Sequence, residues 1–86
     1  MMEVSDLIAL KIKELLEKKD ISVYKLEELT GIPNSTLYMF LNRVHKTIRI
    51  ENLVYICEAL DITLGEFFSD KRFDNVEAKD WHKNTK

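Results

Sequence analysis

Between Val4 and Lys19 the apolar residues Val4, Leu7, Ile8, Ile12, Leu15 and Leu16 return every three or four positions, with polar and charged residues between them. That period lays one apolar stripe along a helix and predicts α-helix over 4–19. Leu10 falls on the other side of the stripe, as a single exposed leucine or as a subunit contact. Asp20 and Ile21 close the segment. Ser22 offers its hydroxyl as the cap of a short second helix over about 23–30, with Leu26 and Leu29 facing inward and Gly31 supplying the left-handed stop. Ile32 and Pro33 alone separate that stop from a third helix over about 34–42, which buries Leu37, Phe40 and Leu41.

Two short helices joined by a tight turn containing glycine make a helix-turn-helix unit. After a loop from Val44 to Arg49, a fourth helix over about 50–60 turns Ile50, Leu53, Val54, Cys57 and Leu60 inward and ends near Asp61. Thr63 and Glu66 form a capping box in front of Leu64, Phe67 and Phe68. The pattern therefore predicts an all-α domain of five helices over residues 1–69. Residues 70–86, with Phe73, Val76 and Trp81 among alternating charges, read as a short C-terminal tail or an extra helix.

A chain of 86 residues has room for one such domain and one small core. No apolar run reaches the roughly 18 residues that cross a bilayer. Glu3 and Asp6 stand where a signal peptide would be basic, so a cytoplasmic protein without membrane association is expected. Cys57 is the one cysteine, which rules out an intrachain disulfide, and its place on the inward stripe of the fourth helix suits a small buried hydrophobe. His45 and His82 lack any carboxylate-plus-nucleophile pattern and read as structural or solvated side chains. No Gly-rich phosphate loop, H-E-x-x-H pair or nucleophile elbow occurs. The expectation is a protein without catalytic activity, bound metal or cofactor, and no small-molecule effector is indicated.

The net charge of −2 is not that of a typical nucleic-acid binder, but its distribution changes the picture. Residues 29 to 50 contain none of the 15 acidic groups and hold Arg43, Lys46, Arg49 and His45. A locally positive surface counts for more than the total at contact distances, since the Debye length is about 8 Å. At 100° per residue, Ser35, Tyr38, Met39, Asn42 and Arg43 share the outer side of the third helix. Hydrogen-bonding and apolar groups without negative charge suit base edges and phosphates. The rival is a protein-interaction module, such as an antitoxin or adaptor built on the same fold.

The order Ile12-x-x-Leu15, Ile21-Ser22-Val23-Tyr24-Lys25-Leu26, Gly31-Ile32-Pro33, Ser35-Thr36-Leu37, and then the run from Ile56 to Phe68 that contains "ALDITLGEFF", resembles the Cro/repressor-like family, also called xenobiotic-response-element-like regulators. The resemblance spans roughly residues 8 to 69. It implies a five-helix, lambda-repressor-like domain whose third helix lies in the DNA major groove. It further implies a bacterial or phage transcriptional regulator of double-stranded DNA, most simply a repressor; a homodimer is expected from size, since one short helix makes few base contacts and two copies read a palindrome. On that resemblance Asn34, Ser35, Tyr38, Met39 and Asn42 stand at base edges, and Ser22, Thr36, Arg43, His45, Lys46 and Arg49 at phosphates. Departures from the usual family pattern fall at Val23, Glu27 and Arg43. The tail and the ends of helices four and five are the candidate dimer surfaces.

Overall fold

The computed structural model describes residues 2–78, so Trp81 and His82 lie outside the described residues. The regular elements follow the apolar periodicity closely: α1 Val4–Lys19, α2 Val23–Thr30, α3 Asn34–Leu41, α4 Ile50–Ala59 and α5 Leu64–Phe68, followed by one 3-10 turn, Lys71–Asn75. Side-chain caps set the starts of α2 and α5. Ser22 Oγ accepts the Lys25 amide at 3.0 Å. At α5 both halves of the capping box are present, with Glu66 N–H donating to Thr63 Oγ1 and Thr63 N–H donating to Glu66 Oε1, each at 2.9 Å. The Thr63 backbone bond, aided by its hydroxyl, holds the Glu66 carboxyl below the usual carboxylate range.

The first four helices are each followed by a residue in the left-handed region: Asp20 (φ 55), Gly31 (φ 78), Arg43 (φ 63) and Asp61 (φ 57). Aspartate tolerates this conformation and glycine favours it, whereas for an arginine it costs about 1–2 kcal/mol. Something beyond the local backbone must hold Arg43 there.

α2 packs on α3 and α4, α1 on α3 and the 3-10 turn, and α4 on α5. The core they enclose includes Leu7, Ile12, Leu26, Leu53, Ile56 and Phe67, and no polar side chain is buried among the described residues. Two positions expected inside are exposed. Leu29 is 48% exposed, because the inward face of α2 runs through Val23, Leu26 and Thr30 and Leu29 sits about 90° from its centre at 100° per residue. Ile50 is 55% exposed. It opens α4, and side chains lean toward a helix's N-terminus, so it overhangs the end of the helix instead of its core side. Leu10 is half-buried.

The C-terminal segment, over its described part, is neither a free tail nor an α-helix; it is docked. Phe73 joins Phe67 and Phe68 in an edge-on aromatic cluster, with centroids 4.8 Å apart for Phe68 and Phe73. Phe73 is therefore engaged with its own chain. Lys11 Nζ reaches Asp70 at 3.0 Å, and Arg72 forks onto Glu14 at 2.7 and 3.1 Å while also meeting Asp70 at 2.8 Å. Hydrogen bonds from Arg72, with Lys11 adding to them, hold the Asp70 carboxyl well below its usual range, and the Arg72 bond lowers that of Glu14. Farther on, Glu77 takes the Val4 amide at 2.9 Å and donates its own to Met2 at 3.1 Å, a parallel bridge between the two ends of the described chain.

Candidate nucleic-acid interface

The turn between α2 and α3 is pinned by backbone and hydroxyl groups. Gly31 N–H donates to the Glu27 carbonyl at 2.8 Å, which its left-handed conformation allows. Thr30 Oγ1 donates to the Leu26 carbonyl at 2.8 Å and accepts the Ile32 amide at 3.1 Å, so one hydroxyl spans the end of α2 and the turn. Ile32 is buried beside it, and the Pro33 carbonyl receives the Leu37 amide. Thr30 did not stand out in the sequence. A hydroxyl one residue before a stop glycine, four residues after a buried leucine, is the signal that marks it.

Leu37, Phe40 and Leu41 fix one side of α3 in the core. The opposite side presents Tyr38 and Met39, 46% and 41% exposed, with Ser35, Thr36 and Asn42 also exposed and Asn34 half-buried. The base-reading candidates thus share one surface of an anchored helix. After α3, Val44 and His45 both donate backbone N–H groups to the Met39 carbonyl, at 2.8 and 2.9 Å. That pair of hydrogen bonds turns the chain sharply into the loop. Thr36, His45 and Arg49 meet around a hollow of about 180 Å³ floored by Ile32, Leu37 and Phe40.

The cations differ in their commitments. Lys46 is exposed and carries no ion pair among the described residues. Arg49 faces Glu51 at 3.8 Å with both side chains largely in water, a contact that contributes little. Arg43 turns inward and pairs with Asp6 at 2.7 Å. Ser22 is exposed at the start of α2, its hydroxyl oxygen already capping Lys25. Cys57 is buried in α4, where burial pushes its thiol up and keeps it protonated.

Residues 11–72 match the family model described as the Cro/C1-type HTH DNA-binding domain. The chain belongs to the Cro/C1-type helix-turn-helix family. A Bacillus subtilis (strain 168) relative described as the uncharacterized HTH-type transcriptional regulator YozG is 35% identical over 75 residues, covering 84% of this chain and 89% of the relative. No solved structure matches significantly. Membership of the Cro/C1-type family assigns the chain to DNA-binding regulators, and the matched span contains α2, the turn, α3 and the loop after it. No helix among the described residues is long and apolar enough to cross a membrane.

Proposed function

We propose that this Cro/C1-type protein is a sequence-specific transcriptional regulator, most simply a repressor, that places α3 in the major groove of duplex DNA. The observation that carries this reading is the outer face of α3. Tyr38 and Met39 are exposed side by side, flanked by Ser35 and Asn42, within a stretch from 29 to 50 without an acid. A merely solvated face has no use for two large apolar groups, whereas thymine methyls and base edges use both apolar and amide contacts. Asn34, Ser35, Tyr38, Met39 and Asn42 read bases. Ser22, Thr36, His45, Lys46 and Arg49 hold phosphates without reading sequence.

A single short helix makes few base contacts, so two copies acting on half-sites about 34 Å apart form the binding unit. The homodimer works in the cytoplasm, on DNA and without an enzymatic step. Selection of bound sequences from a random duplex pool at two salt concentrations tests binding, specificity and symmetry together. A palindrome with half-sites one turn apart is the expected product. Enrichment of nothing at low salt would overturn this reading in favour of a protein-interaction module such as an antitoxin or adaptor.

A further inference from the structure

Arg43 sits at the end of α3 with its side chain 20% exposed. Its Nε donates to Asp6 Oδ1 at 2.7 Å, Nη2 to Ser5 Oγ at 2.8 Å and Nη1 to the Phe40 carbonyl at 3.0 Å. The guanidinium also lies 4.9 Å over the Phe40 ring. Ser5 and Asp6 belong to the first turn of α1, and they precede the residues matched by the family model. We infer that Arg43 is a positioning residue that clamps the end of α3 to the first turn of α1, and is not a phosphate contact. This rests on the reading of α3 as the base-reading helix.

All three guanidinium nitrogens are engaged and the side chain is 20% exposed, so a phosphate would find one Nη2 N–H at most, beside the Asp6 carboxylate that repels it. The backbone points the same way. Glycine would adopt the left-handed conformation here without strain, and an arginine in that place is explained by what its side chain holds. Phe40 is the inward anchor of α3 next to Met39, and the clamp grips both its ring and its carbonyl. Rotation of α3 about its axis, which would swing Tyr38 and Met39 across the base edges, is resisted at this point. A base-reading surface needs such support from groups behind it.

The test measures affinity for the selected duplex across a salt series for Arg43→Ala, Arg43→Lys, Asp6→Asn and the double variant Asp6→Asn/Arg43→Ala, with Lys46→Ala as the phosphate reference. A clamp predicts losses on the order of tenfold for all three single changes, the scale of one charge-assisted hydrogen bond, with the salt slope unchanged and the double variant no worse than Arg43→Ala. A phosphate contact instead predicts a slope lower by about 0.9 for Arg43→Ala, retained binding for Arg43→Lys and no loss for Asp6→Asn. That pattern would overturn the inference. Amide hydrogen exchange reads the clamp without DNA. Exchange at Asn42, Val44 and His45 is expected to quicken in Arg43→Lys and Asp6→Asn while α4 is unaffected; unchanged exchange there refutes the clamp even if the parent protein binds no duplex, an outcome that would separately remove the role proposed for α3.

Discussion

The outer face of α3 and the seam between α1 and the C-terminal segment are built from similar kinds of residue and use them in opposite ways. At the seam, Lys11, Glu14, Asp70 and Arg72 satisfy one another, and Phe67, Phe68 and Phe73 pack together. On α3 the polar groups of Ser35 and Asn42 and the apolar bodies of Tyr38 and Met39 are left to solvent, and Lys46 has no partner among the described residues. One region uses its chemistry on its own fold and the other leaves it exposed to solvent. The difference teaches that in a chain this small the net charge says little, because its acids and bases are sorted by place.

The largest expected effect would break that comparison at the seam. Phe67 is fully buried, so Phe67→Ala should cost about 3–5 kcal/mol in urea unfolding. A large share of the stability of a small domain would go with it. Met39→Ala should leave the unfolding midpoint nearly unchanged and shift the preferred base pair by about 1–3 kcal/mol, read by binding to a panel of altered sites. A change in stability with no change in preference would erase the division between the two regions.

Gly31→Ala sharpens the role of the turn. Nothing stands within 4 Å of the added methyl, so the left-handed backbone alone carries the cost, about 1 kcal/mol in thermal unfolding. Lys46→Ala should weaken binding to every duplex alike and lower the salt slope by about 0.9.

The smallest effect is in pH dependence. The folded-state pKa values of Asp70, Glu14 and Glu66 are lowered. The unfolded chain therefore binds more protons than the folded one in mild acid, and stability present above about pH 4 falls as pH drops through the folded values. Arg72→Met should flatten that acid limb, seen as a smaller difference in melting temperature between pH 6 and pH 3, and leave the selected DNA site unchanged.

How far the sequence was legible differs between these regions for physical reasons. The helices, the Ser22 cap, the Gly31 stop and the capping box at Thr63 and Glu66 are all local devices, readable within a few residues, and each stands where the pattern put it. Leu29 and Ile50 were misplaced because periodicity locates a stripe only to within about one residue's turn, and short helices have edges. The docked strap after Asp70 was unreadable because Arg72 finds Glu14 across 58 positions. The outward residues of α3 were legible as a group, since the helical period separates them from Leu37, Phe40 and Leu41 whatever the rest of the chain does.

The sequence by itself determined where helices begin and end, which stripe each buries to within about one residue, and that residues 29 to 50 carry no acid, because these depend on neighbours one to four positions apart. Only the tertiary structure decided what the cations do. Arg43, Lys46 and Arg49 look alike along the chain, yet Arg43 meets Asp6 across 37 positions while Lys46 remains free among the described residues. An ion pair is fixed by distance in space, which helical periodicity does not encode, so the same kind of side chain became a clamp at one position and an open contact three residues later.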